Sequence, residues 1–239
     1  MAQEFGGQVR FVVENYGDSK LAKRFGVDRY PAIFVNDILV ATPNDFGFFG
    51  KGKPDGAGRY SPLRSAEAHA RFRSDLEKML RLVLAGRTGE ARSIAPAQSA
   101  VQIAALPALN VIDIHGNALT PEQLAGRVVI VEFWATWCPP CRSTLAWLGG
   151  LSKKYGKDVA IVTVAVESDK QNVEQIVQEM RLPMRAVIGT PELARAFGDI
   201  SAVPTLFVFD RTGKTAGVFY GAPPTLHADA EKTIERARG

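Results

Sequence analysis

Cysteine is nearly absent from this chain: two in 239 residues, both inside Trp137-Cys138-Pro139-Pro140-Cys141. Histidine is scarce as well, and His69, His115 and His227 show no ligand spacing, so a zinc site would lack its further donors. No metal and no organic cofactor is expected. No stretch approaches the roughly 18 consecutive apolar residues that a membrane-spanning helix needs. Met1 to Arg10 has neither a basic start nor an apolar segment, so no export signal is expected there. A strong charge of one sign is also missing, the formal net charge being +4. Residues 1–95 carry 15 Lys/Arg against 11 Asp/Glu and residues 96–239 carry 14 against 14, a surplus too mild to argue for nucleic acid. Phe46 to Tyr60 holds five glycines with Lys51, Lys53 and Arg59, but it lacks the Gly-Lys-Ser/Thr ending and the strand-to-helix setting of a phosphate cradle. A long hairpin loop is expected there. At 46% hydrophobic and 23% charged residues, the chain reads as an ordinary globular protein of one or two domains.

What is present is concentrated around the cysteines. An apolar run, Val128-Val129-Ile130-Val131-Glu132-Phe133-Trp134-Ala135-Thr136, leads straight into the pair, and a helical pattern comes after it. A strand ending in C-x-x-C before a helix reads as a thiol–disulfide redox centre. If Cys138 caps the helix and Cys141 sits one turn in, the sulfurs can bond with little backbone movement. The helix N-terminus offers unpaired N–H groups and a positive dipole end, both of which favour a thiolate. Pro139 and Pro140 suit the first turn, where a missing N–H costs little. A purely structural disulfide fits less well, because a loop of two intervening residues constrains little of the unfolded chain.

The stretch Glu132-Phe133-Trp134-Ala135-Thr136-Trp137-Cys138-Pro139-Pro140-Cys141-Arg142 resembles the active-site segment of the thioredoxin superfamily, most closely its TlpA/ResA-like branch. The resemblance covers about 130 residues. Pro107 to Leu119 looks like that branch's extra hairpin, turning at His115-Gly116-Asn117, and Thr120 to Leu124 like a short capped helix. Val159 to Val166 reads as a buried strand, Asp169 to Met180 as an amphipathic helix, and Leu206 to Phe209 as a strand closed by a turn at Asp210-Arg211-Thr212-Gly213. The resemblance implies a three-layer α/β/α fold with a central mixed sheet. It also implies that Pro204 is cis and faces the redox pair, and that Val203 presents its backbone to a bound substrate segment. Trp137, Pro139, Pro140, Val203 and Pro204 are thus the expected substrate-binding residues, with Cys138 and Cys141 catalytic.

Two departures stand out. Many TlpA/ResA-like proteins carry an acidic residue three positions past the second cysteine and then a helix-kinking proline; here those positions are Thr144 and Ala146. A carboxylate instead stands six residues before Cys138, where cytoplasmic-type thioredoxins place a buried aspartate. If Glu132 is buried its pKa is raised, and it becomes a third catalytic candidate, accepting the Cys141 proton. If the strand alternates the other way, Glu132 points to solvent. With Val131 and Phe133 flanking it, the pattern leaves both open.

The chain is expected to divide into residues 1–93, a linker at 94–106 and a second domain at 107–239. Ala66 to Leu84 reads as a helix, with Phe72, Leu76, Met79, Leu80 and Val83 at helical spacing. Val9 to Val13 reads as a strand, Ser19 to Phe25 as a helix, and Tyr30-Pro31 as a loop into the strand Ala32 to Val35. That phrase is similar to Leu193 to Phe209 of the second half. The first half therefore resembles an incomplete, cysteine-free thioredoxin-like α/β unit. Its sheet gap between Val9–Val13 and Ala32–Val35 would be filled by the second domain, another copy of the chain or an upstream segment.

The function expected is thiol–disulfide exchange with protein substrates, most naturally as a reductant re-reduced by an upstream dithiol partner. The resemblance implies an extracytoplasmic location, in the periplasm or cell envelope, and a role in cytochrome c maturation; the absent signal leaves a cytoplasmic location open. A redox-switched binding or assembly protein using the basic first half is the rival reading. A thiol peroxidase would call for Thr-x-x-Cys, whereas Thr136 stands two residues before Cys138.

Overall fold

The computed structural model describes residues 2–14, 19–27, 32–46, 59–60, 65–95, 103–198, 200 and 202–239. The chain forms two compact units, Met1–Ser99 and Ala100–Gly239.

In the first unit, Ser19 caps helix α1 (Lys20–Phe25) by accepting the Ala22 N–H at 2.7 Å. Strands β1 (Ile33–Val35) and β2 (Ile38–Ala41) pair as an antiparallel hairpin, and Asn36 takes the left-handed conformation in its turn. The short helix α2 (Pro43–Phe46) comes next. Ser65 caps the long helix α3 (Ala66–Leu84), which has the expected bounds, and α4 (Thr88–Ile94) closes the unit. Val35, Ile38 and Val40 of the hairpin bury against Met79, Leu80, Leu82 and Ala91 of the two helices. Fully burying one such side chain is worth roughly 1.5–3 kcal/mol, so this small core is what holds helix and hairpin together.

The expected strand at Val9–Val13 does not form. These residues are irregular, with Phe11 78% and Val13 79% exposed. A strand needs a neighbour for its N–H and C=O groups, and the described residues offer it none. The helix expected at Ser19–Phe25 and the strand expected at Ala32–Val35 form as α1 and β1. Tyr30-Pro31 and most of Phe46–Tyr60 lie outside the described residues. Ile103 to Leu106, expected to be linker, is drawn into the second unit: Leu106 N–H donates to Gly213 O at 2.8 Å and Thr215 N–H to Ala104 O at 3.0 Å.

The second unit begins with a hairpin of β3 (Val111–Ile112) and β4 (Ala118–Leu119), turning through Gly116 at φ 84°. Helix α5 (Pro121–Leu124) is entered through Thr120, whose N–H donates to the Gln123 side chain at 3.2 Å. Then come β5 (Val128–Trp134), α6 (Pro139–Tyr155), β6 (Val159–Ala165), α7 (Lys170–Glu179), β7 (Arg185–Ile188), α8 (Pro191–Ala196), β8 (Thr205–Phe209), β9 (Thr215–Tyr220) and α9 (Leu226–Arg238). The sheet order is β7-β6-β5-β8-β9, with β5–β6 and β6–β7 parallel and the other pairs antiparallel. This is the thioredoxin-like α/β arrangement with a mixed central sheet. Every residue of β5 and β6 is buried, which is why both read as unbroken apolar runs. Leu148 and Leu151 of α6 and Ala230 and Ile234 of α9 cover the face that carries Val128 and Ile130. The opposite face carries Phe133 and Phe207, packed edge-on against Phe197 at 5.0 and 5.1 Å between ring centres.

Asp113 ties the hairpin to the sheet. Its buried carboxylate accepts the His115 N–H at 3.0 Å and the Asn117 N–H at 2.8 Å, and it pairs with the Arg185 guanidinium at the start of β7. Burial alone would push this carboxyl up, but the donors from Asn117, Arg185 and His115 outweigh it and hold the pKa below the ordinary value. Asp113→Ala, which leaves those donors unpaired, should destabilise the protein by about 1–3 kcal/mol at neutral pH. A carboxyl with a lowered folded-state pKa stabilises above its unfolded value, near 3.9, and loses that contribution as pH falls through the folded one. The gap between wild type and variant in urea denaturation should therefore narrow on acidification; a gap that is constant with pH would exclude the ionic part of this account.

Candidate redox site

The site is built where β5 ends. The chain turns from Ala135 to Cys138, closed by a hydrogen bond from the Cys138 N–H to Ala135 O at 3.1 Å. Cys138 is the N-cap of α6, and Pro139 and Pro140 occupy its first turn. The Cys141 N–H points at Cys138 Sγ from 3.3 Å and is shared with the Cys138 carbonyl at 3.2 Å. The two cysteines form a disulfide with their Cα atoms 5.4 Å apart. In this oxidised state Cys138 is 4% exposed and Cys141 fully enclosed. Trp137 is 54% exposed, and both prolines lie on the surface beside it.

The Val203–Pro204 peptide bond is cis. The next residue, Thr205, pairs with Phe133, so the cis bond and the cysteine turn leave neighbouring strands at the same end of the sheet. Val203 and Pro204 are both buried.

Glu132 faces inward. It is 0% exposed, stands opposite Thr163 of β6 and Leu206 of β8, and neither carboxyl oxygen has a hydrogen-bond partner among the described residues. By strand alternation it shares a face with Ile130, which is the face α6 covers. Helix α6 runs back along β5, so its first turn, with Cys141, lies toward the Glu132–Trp134 end. Burial without compensating donors pushes the Glu132 pKa well above the ordinary carboxylate range. The Trp134 indole N–H is likewise buried without a partner among the described residues. Thr144 is buried, and its hydroxyl turns back to donate to Pro140 O at 3.3 Å. Among the described residues no cluster of His, Cys, Asp and Glu could hold a metal.

One part of the site escaped sequence reasoning. Ser168, in the loop after β6, accepts the Thr136 N–H at 2.9 Å, and the carbonyl of Glu167 receives the Trp137 indole N–H at 3.3 Å. Nothing in the spacing links residues so far apart; only the pairing of β5 with β6 brings these loops together.

The sequence profile of the Redoxin family matches residues 100–234, more than half of the chain. The chain belongs to the Redoxin family. Among curated relatives, the thiol-disulfide oxidoreductase ResA of Geobacillus thermodenitrificans is 31% identical over 111 residues, covering 46% of this chain and 63% of that protein. The ResA of Bacillus subtilis is 28% identical over 110 residues, covering 46% and 62%. The chain thus spans less than two thirds of the length of either relative. Among solved structures, a thiol:disulfide interchange protein of the thioredoxin family from Chlorobium tepidum superimposes with a TM-score of 0.53 at 31% identity, covering 59% of this chain and all of that one. The first unit has no counterpart in the Redoxin match, which begins at residue 100.

The burial of Glu132 has a measurable signature. A carboxyl whose folded pKa lies above its unfolded value, near 4.3, stabilises the fold below that value and loses the contribution as pH rises toward the folded pKa. The stability of the oxidised protein should fall above about pH 4.3 by up to ~1.4 kcal/mol per pH unit until the buried group ionises. Glu132→Gln should remove this slope and leave the variant the more stable protein at pH 8. Superimposable pH profiles in urea denaturation would rule out a buried, protonated Glu132.

Proposed function

We propose that the chain is a thiol–disulfide oxidoreductase that reduces protein disulfides through Cys138 and Cys141. The observation that carries this reading is the disulfide at the start of α6, at the same end of the sheet as the cis Val203–Pro204 bond. In the reduced protein the N-terminus of α6 favours the Cys138 thiolate. That sulfur attacks one sulfur of a client disulfide, bonds to it, and expels the other as a thiolate. Glu132, once it has released its own proton to solvent, takes the proton of Cys141, which attacks Cys138 Sγ, releasing the second client thiolate and leaving the Cys138–Cys141 disulfide. Two electrons pass to the client, and an upstream dithiol restores the pair.

Glu132 suits the acceptor role because burial moves its pKa toward that of a thiol, where proton transfer is closest to balanced. Trp137, Pro139 and Pro140 form the rim of the docking surface, with the Val203 backbone pairing with an extended client segment. The clients are exported proteins, apocytochromes among them, and the chain acts in the periplasm or cell envelope; family resemblance supports both. No helix among the described residues is long and apolar enough to cross a membrane.

Cys141→Ser should accumulate mixed disulfides with client proteins, because attack proceeds and resolution cannot, while Cys138→Ser should trap none. Iodoacetamide should modify Cys138 before Cys141 in the reduced protein near neutral pH. Glu132→Gln should slow resolution by roughly 10- to 100-fold, with a much smaller effect on the first attack. Efficient trapping by Cys138→Ser instead would reverse the assigned roles.

A further inference from the structure

We propose that Ser168 is a positioning residue for the Cys138 nucleophile, its hydroxyl fixing the turn that aims the sulfur. The inference rests on the thiol–disulfide exchange reading above and assigns part of that site to the loop after β6.

The turn from Ala135 to Cys138 has two central residues, Thr136 and Trp137, and closes on itself through a single hydrogen bond. Alone, such a turn could rock about the end of β5. Three consecutive residues of the neighbouring loop prevent this. The Val166 N–H donates to Trp134 O at 2.8 Å and holds the base of the turn. The Glu167 carbonyl receives the Trp137 indole N–H, and Ser168 Oγ receives the Thr136 N–H. Ser168 Oγ also donates to Val166 O at 2.8 Å, so its own proton is committed and its lone pair is held toward Thr136. Glu167 adopts φ 45°, a left-handed conformation uncommon for a residue with a side chain. Such conformations persist where the surroundings hold them in place and cluster at functional sites.

The grip matters because the turn delivers the chain directly to the nucleophile. Cys138 caps α6, and its Sγ lies 3.3 Å from the Cys141 N–H. A charge-assisted hydrogen bond to the thiolate depends on distance and alignment, so rotating the turn weakens it and raises the thiol pKa. Ser168 touches neither sulfur. It acts through the backbone of Thr136, and its loss should change the chemistry of a residue it does not contact.

The test uses the reduced 239-residue chain as wild type, Ser168→Ala and Ser168→Thr. The readouts are the pH profile of Cys138 alkylation by iodoacetamide and the rate of attack on oxidised glutathione. Ser168→Ala should shift the alkylation midpoint to higher pH and slow attack at neutral pH by about fivefold, and Ser168→Thr, which keeps the hydroxyl, should restore both. An unchanged profile in Ser168→Ala, or no restoration by threonine, would overturn the proposal. Should the alanine variant fail to fold, amide hydrogen exchange at Thr136 decides: protection in both wild type and Ser168→Thr supports the contact, and rapid exchange overturns it. A wild-type Cys138 that titrates as a free thiol, near 8.5, and leaves oxidised glutathione intact would overturn the exchange reading itself.

Discussion

Strand β5 is paired on both flanks, in parallel with β6 from Val128 to Trp134 and antiparallel with β8 from Val129 to Phe133. This double pairing fixes the height at which three loops leave the sheet. The cysteine turn comes after Trp134, the Val166–Ser168 loop after β6, and the Val203–Pro204 bond precedes β8. Since β5 cannot slip by one residue against either neighbour without exchanging the side chains of its two covered faces, the three loops are held in register by the same ladder that builds the core. The chemistry sits on loops, but its precision comes from the strands.

The same ladder forces a carboxyl group into the interior. Seven consecutive buried positions leave Glu132 no route to water, and its cross-strand neighbours are a threonine and a leucine. A buried group with no donors avoids the cost of an unpaired charge by holding a proton. A fold selected for stability alone would place an apolar residue at 132. The hydroxyl at Thr144 is occupied by its own helix, so no carboxylate from α6 substitutes for Glu132 at that position.

How much of this was legible depends on how local each signal is. The cysteine motif, the capped helix at Thr120, the hairpin turning at Gly116 and the long helix Ala66–Leu84 are written in contiguous residues, and each forms as read. The inward orientation of Glu132 was not legible, because a strand buried on both faces erases the alternation that would reveal it. Ser168 was invisible for a related reason: its partner is 32 residues away and is reached only through strand pairing. Val9–Val13 shows the converse. Its residues favour a strand, yet propensity without a neighbouring ladder left Phe11 and Val13 in solvent.

The hairpin and the segment Ile103–Leu106 also bear on how the sheet ends. Asp113 bridges to Val187 on one outer strand, and Ala105 bridges to Lys214 at the start of the other. Both margins thus carry backbone from the chain's own N-terminal approach to the domain. An open margin is a template on which a second molecule can add a strand, and such growth has no natural stopping point. Here the chain covers part of each margin with its own backbone, and the Asp113–Arg185 pair holds the hairpin in that place.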